Sequence, residues 1–446
     1  MTEHADTIVA AATPPGTGGI AIVRISGSNA VAIARKMIGD LPEARTAAHR
    51  IIRDATGNAI DSGIVLYFPE PASFTGEPVV ELHGHGGPVV VSLILDAAVS
   101  CGARIALPGE FTKRAFLNDK LDLLQAEAVA DLISSGTEQA ARAALRSLSG
   151  TFSAVVAELA SKLERLRMYV EAAIDFPEEE VDFLSDQQLQ DAIDACSDAF
   201  TRLFERVRVG RVLRDGYRVV IVGKPNAGKS SLMNCLSGEE TAIVTEVSGT
   251  TRDILREQIN IDGLAVEIVD TAGLRENPDR IEAEGIRRAR DILRSADAAL
   301  WIQDATEQAG MDIDEDLPDG IPIVTIRNKI DLTDEKVGAD PDDDRLIRLS
   351  AMTGDGIDAL RTRLRELAGY KDLGEQTITA RRRHLEALKR AHEHFNAGRQ
   401  ALKDQRAGEV FAEELRLAHR ALGEITGETS SDDLLGMIFS EFCIGK

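Results

Sequence analysis

Aromatic residues are scarce in this chain, 4% of 446 with a single tryptophan. Cysteine is scarce too. Cys101, Cys196, Cys235 and Cys443 form no C-x-x-C pair and have no histidine grid beside them. That excludes a zinc ribbon or a disulfide scaffold and predicts free thiols in a reducing cytoplasm. No apolar run approaches the ~20 residues of a spanning helix, so no membrane role is expected. The first residues lack a basic start and a long apolar core, which argues against an export signal. Basic charge is also in deficit. Lys and Arg number 51 against 74 Asp and Glu, a net charge of −23. A uniformly basic nucleic-acid binder does not look like this, so any RNA contact needs a local patch or a partner. Arg202–Arg218 and Arg381–His384 are two such patches, and solvated helix faces explain them equally well. With 43% hydrophobic and 28% charged residues the composition is that of a globular protein. The length predicts two to four domains.

The most informative stretch runs Gly223-Lys224-Pro225-Asn226-Ala227-Gly228-Lys229-Ser230-Ser231. It fits G-x-x-x-x-G-K-[ST] and lies between a strand-like run, Tyr217–Val222, and a helix-like run, Ser231–Leu236. In that setting, backbone N–H groups and the helix dipole both face an anion. Lys229 is expected to reach the β- and γ-phosphates, and the Ser230 hydroxyl to hold Mg²⁺. Asn328-Lys329-Ile330-Asp331 follows a further apolar strand, Ile321–Ile326. An Asp there can accept from guanine N1–H and the 2-amino group, where adenine has no donors. Ser350-Ala351, behind Arg345–Leu349, supplies a loop that braces the base. Asp270-Thr271-Ala272-Gly273 ends the run Leu264–Val269; Asp270 would orient Mg²⁺ through water, and the Gly273 N–H would meet the γ-phosphate. Thr250 or Thr251 would close over the metal. Ile254–Ile261 and Leu264–Val269, joined by Asp262-Gly263, read as a hairpin. That predicts one antiparallel edge strand on an otherwise parallel, Ras-like sheet.

Ras-type enzymes place a glutamine just after the D-x-x-G turn to orient water. Leu274 stands there and cannot do so. Glu276, Glu282 and Glu284 are the nearby acids, and composition does not choose between them. No arginine finger is identifiable; Asn226 could ligate a monovalent cation instead.

The flanks are of two kinds. Up to about residue 118, short apolar runs (Ile20–Ile25, Ile64–Phe68, Val79–Leu82) and a helix-like piece, Val89–Val99, make an α+β pattern. Beyond it, Asp122 and Gln125 form a capping box. Phe152, Val155, Val156, Leu159, Leu163, Leu166 and Val170 recur at helical spacing, as do Leu385, Leu388, Phe395 and Leu402, and then Leu415, Ala418, Leu422 and Ile425. Helical stretches on both sides suggest that the nucleotide domain is inserted into a helical one. The expected fold is multidomain, α+β and α/β. Residues 1–118 form an N-terminal domain, 119–212 plus 376–446 a helical domain, and 213–375 a P-loop GTPase domain.

The runs Gly223–Ser231, Gly249-Thr250-Thr251-Arg252-Asp253 and Asp270–Arg275, with Ala12–Gly16, Gly84–Gly87, Pro108–Phe111, Leu117–Leu121 and the ending Phe442–Lys446, resemble the MnmE (TrmE) tRNA-modification GTPases over essentially the whole chain. The resemblance implies several assignments. GTP or GDP would be held by the residues named above together with Thr245, Glu246, Val247, Ser248 and Gly249. Asn226, Thr245, Val247 and Thr250 would bind K⁺, and Ser230 and Thr251 Mg²⁺. K⁺ would replace the arginine finger as two GTPase domains meet face to face, with Glu282 orienting water indirectly. Asn226, Lys229 and Glu282 would thus be the catalytic set. The N-terminal domain would be folate-binding, taking a 5-formyl- or 5,10-methylene-tetrahydrofolate at Arg24, Glu81, Lys120 and Lys446, and would form a homodimer. A flavin-dependent partner of the MnmG/GidA family would complete a heterotetramer. Together they would add an aminomethyl or carboxymethylaminomethyl group to C5 of the wobble uridine of certain tRNAs. A regulatory GTPase of ribosome assembly is the alternative.

Overall fold

The computed structural model describes residues 6–175, 187–238, 256–261, 263–270, 296–307, 321–369, 377–429, 432–440 and 442–445. They fall into two compact units.

The first unit comprises residues 1–130, 156–180 and 393–446. Its sheet is built from β1 (Ile8–Ala11), β2 (Gly18–Ser26), β3 (Ala48–Arg53), β4 (Ala59–Phe68), β5 (Val79–Gly86) and β6 (Arg104–Ile105), in the order β3-β4-β5-β2-β1-β6. All neighbours are antiparallel except β1 and β6. Helices α1 (Ala30–Ile38) and α2 (Pro88–Ser100) cover one face. Val23, Ile25, Val80 and Leu82 pack there against Ile33, Met37, Ile94 and Ala98. The other register of β5 carries Glu81 and His83, which is the period-two alternation of a sheet with one buried face.

Helices α3 (Glu110–Leu117) and α4 (Leu123–Ser134) follow. The capping box at α4 forms in both directions. Gln125 N–H donates to Asp122 Oδ1 (2.8 Å), and Asp122 N–H to Gln125 Oε1 (3.0 Å). Helices α5 (Glu138–Leu148), α6 (Thr151–Asp175) and α7 (Gln187–Asp215) complete the run before the nucleotide-binding sheet. Of the spaced apolar residues of α6, Phe152, Val156, Leu159, Leu163, Leu166 and Val170 are buried as their period requires, and Val155 at the edge of that face is half-buried.

The second unit comprises residues 131–155 and 181–392. Its strands are β7 (Tyr217–Gly223), β8 (Arg256–Ile261), β9 (Leu264–Asp270), β10 (Ala298–Asp304), β11 (Ile323–Asn328), β12 (Gly338–Ala339) and β13 (Leu346–Arg348). The order is β12-β13-β11-β10-β7-β9-β8. The five inner strands are parallel and β8 is the expected antiparallel edge. The two-residue β12 adds a second antiparallel edge at the far side, which was not expected. It is too short to carry a hydrophobic period, and only its pairing with β13 defines it. Helices α8 (Lys229–Gly238) and α9 (Ile357–Leu367) flank this sheet, with Leu232, Leu236, Leu360 and Leu364 in its core.

Helices α10 (Arg382–Gln405), α11 (Gly408–Thr426) and α12 (Asp432–Ser440) end the chain. Leu435, Ile438, Phe439 and Phe442 pack with Leu123 and Ala126 of α4 within the first unit. No described helix is long and apolar enough to cross a membrane.

Candidate nucleotide-binding site

Strand β7 is buried along its length and delivers the chain to the phosphate loop. Gly223 closes the strand. A Cβ there would lie 2.4 Å from the Ile302 carbonyl oxygen, so the loop needs glycine to leave the sheet. Asn226 takes a left-handed conformation, φ 66°, and is exposed at the loop's tip. Gly228 has φ 98°, and a Cβ on it would stand 2.2 Å from Asn328 Nδ2. Helix α8 then begins at Lys229, so the N–H groups of its first turn have no helical partner and face the loop. The Lys229 ammonium folds over the loop and donates to the carbonyls of Gly223 (3.0 Å) and Lys224 (2.9 Å). An ammonium has three N–H groups, which leaves one for a phosphate oxygen. Ser230 and Ser231 lie exposed in the same turn, and Ala227 is buried beneath it.

Asn328 connects this loop to the base side. It ends β11, is 2% exposed, donates from Nδ2 to the Ala227 carbonyl (2.9 Å) and accepts at Oδ1 from the Ala351 N–H (2.9 Å). One amide thus fixes the phosphate loop against the loop of Ser350 and Ala351. Ser350 is buried, and its hydroxyl accepts from the N–H groups of Met352 (3.3 Å) and Thr353 (3.2 Å). Lys329 is left-handed, φ 67°, and its ammonium pairs with Asp304 Oδ2 at 2.7 Å. Asp331 follows in the short 3₁₀ turn Ile330–Leu332 and is exposed.

Sequence reasoning missed Asp304. The Lys329 hydrogen bond, with further bonds from the Thr306 hydroxyl and N–H, holds its carboxyl down at about 2. The one available signal was an acid closing the apolar run Ala298–Gln303. Its partner Lys329 lies just past the end of the neighbouring strand β11, a proximity that only the fold reveals.

Asp270 is the last residue of β9 and stands in register with Ile221 of β7, close to where the phosphate loop leaves the sheet. The phosphate loop, Asp270, Asp304 and Asn328 therefore all sit at the carboxyl ends of parallel strands, where open α/β sheets bind ligands. The structure brings Gly223, Asn226, Ala227, Gly228, Lys229, Ser230, Ser231, Asn328, Lys329, Asp331, Ser350 and Ala351 to that edge. Thr245, Glu246, Val247, Ser248, Gly249, Thr250, Thr251, Thr271, Ala272, Gly273 and Glu282 lie outside the described residues, as does Lys446.

The first unit holds a second candidate site. Arg24 on β2 and Glu81 on β5 are register partners, and Glu81 Oε1 accepts from Arg24 Nε (2.9 Å) and Nη2 (2.8 Å). The other oxygen meets His83 Nε2 at 3.2 Å. The Arg24 guanidinium lies 5.5 Å from the Phe74 ring centroid and 5.7 Å from that of Phe111. Lys120 Nζ donates to the Pro71 carbonyl (3.0 Å), on the same β4–β5 connection that carries Phe74. The tail passes nearby. The Cys443 carbonyl accepts from the Gly109 N–H, and Gly445 runs so close to Ala11 that a Cβ would lie 2.0 Å from the Ala11 carbonyl oxygen.

Residues 7–120 match the family model of the GTP-binding protein TrmE N-terminus, and residues 123–443 match that of the MnmE helical domain. The tRNA modification GTPase MnmE of Alkalilimnicola ehrlichii is 54% identical over 441 residues, 99% of this chain and 99% of that protein. The chain belongs to the MnmE (TrmE) family. Among solved structures, Aquifex aeolicus Era bound to GDP·AlF₄⁻ is 26% identical, covering 41% of this chain and 67% of its own, with a TM-score of 0.27. The G domain of the T. maritima FeoB iron transporter is 21% identical over 34% of this MnmE-family chain and 98% of its own, with a TM-score of 0.25.

Proposed function

We propose that this chain binds GTP at the carboxyl edge of its parallel sheet and hydrolyses it to GDP and phosphate in the service of tRNA modification. The observation that carries the reading is the double hydrogen bond of Asn328, which makes one site of the phosphate loop and the base loop. Membership of the MnmE family supplies the tRNA.

The chain's own residues divide the work. The first-turn N–H groups of α8 and the Lys229 ammonium hold the β- and γ-phosphate oxygens as charge builds on the bridging oxygen. Asp331 accepts from the guanine edge, and the Ser350–Ala351 backbone braces the ring. Glu282 orients the attacking water indirectly; the water oxygen bonds to the γ-phosphorus as the bond to the β-phosphate oxygen breaks, GDP leaves, and the water's proton ends on the released phosphate. The Ser230 hydroxyl in the first turn of α8 and Asp270 at the adjacent strand end suit a hard cation, so Ser230 and Thr251 would hold Mg²⁺, which neutralises phosphate charge. The exposed left-handed Asn226 suits a weaker one, and with Thr245, Val247 and Thr250 it would hold K⁺, which supplies positive charge at the β–γ bridge.

In the N-terminal part, Arg24, Glu81, Lys120 and Lys446 would bind a tetrahydrofolate derivative that gives the carbon. The fixed Arg24–Glu81 pair beside two phenyl rings supports a flat ligand with hydrogen-bonding edges. The same part would form a homodimer, and a flavin-dependent MnmG/GidA-type partner would complete the wobble-uridine reaction. We read the chain as three domains, 1–118, 119–212 with 376–446, and 213–375.

Mass spectrometry of wobble nucleosides in tRNA from cells lacking this chain tests the reading. The C5-aminomethyl family of uridines should disappear and return with the wild-type gene. Unchanged nucleosides would overturn it.

A further inference from the structure

The nucleotide site makes no use of a buried ionic cluster at the opposite end of the second unit's sheet. Asp131, in the last turn of α4, is 5% exposed. Its Oδ1 accepts from Arg214 Nε (2.9 Å) and from Arg381 Nη2 (2.8 Å). Arg214 lies in the last turn of α7, just before β7 begins. Arg381 directly precedes α10. The two cations therefore mark where the chain enters the nucleotide-binding sheet and where it returns from it.

The backbone is pinned at the same place. The Thr379 N–H donates to Ser147 Oγ (2.9 Å), and Arg146 Nε to the Thr377 carbonyl (2.5 Å), so α5 holds the returning segment. Gly210 of α7 lets the two crossings touch, since a Cβ there would stand 2.6 Å from the Ile378 carbonyl oxygen. A cavity of about 140 Å³ adjoins the cluster, and its lining includes Asp131, Thr137, Arg214, Ala265 and Glu267. Ala265 and Glu267 belong to β9, whose far end is Asp270. Glu267 is in turn tied to Arg218 of β7, Nε to Oε2 at 2.7 Å. Strand β9, whose carboxyl end borders the phosphate side of the site, thus lines the same cavity as Asp131 and Arg214, and β7 is tied to β9 beside it.

We propose that Asp131 is a positioning residue that clamps the entering and returning crossings together, so that a displacement of β7 and β9 at the nucleotide reaches the helices as one movement. Strands are stiff along their length, and five residues of β9 span ~16 Å at ~3.3 Å per residue. A shift at Asp270 therefore arrives at Glu267 and Ala265 largely undiminished. With the carboxylate charge removed, entry and return move separately. GTP is still bound and split, because no atom of the cluster belongs to the phosphate or base loops. The inference rests on the reading of this chain as a tRNA-modification GTPase.

The test uses the full chain carrying Asp131→Asn, which keeps shape and an acceptor oxygen but loses the charge. GDP affinity and GTP turnover are measured on purified protein. Modified wobble nucleosides are measured in cells whose only copy is the variant. The expected result is GDP affinity and turnover within about twofold of the parent with modification down by roughly fivefold or more, a split that a coupling role produces and a folding defect does not. Arg381→Gln should give the same split, and the double variant should be no worse than either single, since both break one clamp. Normal modification in Asp131→Asn overturns the proposal. So does an equal fall of turnover and modification, which marks a structural defect alone. Should Asp131→Asn fail to accumulate folded, Ser147→Ala, which removes the acceptor for the Thr379 N–H and hydroxyl, is judged by the same criteria. If the parent chain itself supports no modification, the functional reading fails rather than the clamp.

Discussion

At the scale of single residues, Asn328 and Asp304 show how the site is built from partners distant in sequence. Asn328→Ala removes two buried hydrogen bonds and strands the Ala227 carbonyl and the Ala351 N–H. Each orphaned buried group costs about 1–3 kcal/mol. GDP affinity by isothermal titration should fall at least about tenfold, since ~1.4 kcal/mol is a factor of ten. An unchanged affinity would show that the two loops hold their places without it. Asp331→Asn should lower the preference for GTP and raise that for xanthosine triphosphate, whose 2-oxo group repels a carboxylate but accepts from an amide. Competition binding reads this directly. Asp304 carries a pH prediction. Its carboxyl is held down at about 2, below the ordinary 3.8, by Lys329 and Thr306. A depressed carboxyl stabilises the fold above its unfolded value and loses that contribution as pH falls through the folded one. The urea midpoints of the parent and of Asp304→Asn should therefore converge between pH 4 and about 2. A constant gap across that window would refute the pair. N-K-x-D was legible as a motif because its chemistry is local. Asp304 was not, because it ends one strand and its cation follows the end of another.

At the scale of elements, the legible pieces were those whose signal is complete within the element. The capping box of α4, the period of α6 and the strand–loop–helix of β7 and α8 each carry their own cause. What stayed hidden was short or amphipathic only in context. Strand β1 has four residues and reads as a strand only beside β2 and β6. Helix α1 has Asn29 at its N-cap, but that side chain makes no capping hydrogen bond and no acid stands in the first turn, so its start is weakly marked. Strand β12 has two residues. The phosphate-loop element makes its own prediction. Gly228→Ala places a methyl group 2.2 Å from Asn328 Nδ2 in a backbone conformation that alanine resists. Either the loop or the Asn328 amide must yield, so both should weaken together. GDP binding should be lost beyond about 100-fold, with the far sheet intact by circular dichroism. Gly338→Ala is the control. It too has a positive φ, 107°, but nothing lies within 4 Å of its Cβ, so it should leave binding near normal.

At the scale of the molecule, the chain's two ends belong to one unit. Phe439 and Phe442 pack with Leu123 of α4, and Gly445 runs against Ala11 of β1. The family resemblance set Lys446 beside Arg24, Glu81 and Lys120, but no pattern in the residues themselves links positions so far apart, so the packing of Phe439, Phe442 and Gly445 was not legible. The contact gives the folate assignment a test that leaves the nucleotide site alone. Gly445 has φ 98°, and a Cβ would overlap the Ala11 carbonyl at 2.0 Å. Gly445→Ala must therefore push the last turn of the tail off β1 and carry Lys446 with it. If Lys446 helps to hold a tetrahydrofolate with Arg24, Glu81 and Lys120, affinity for 5-formyl-tetrahydrofolate should fall about tenfold, the worth of one charge-assisted contact. GDP affinity should not move, because Gly445 lies in the other unit. Arg24→Lys should reproduce the folate loss from the opposite side, since lysine cannot make the two-pronged contact with Glu81. Full folate affinity in Gly445→Ala with loss in Arg24→Lys would separate the tail from the site and leave its packing on β1 as its whole role.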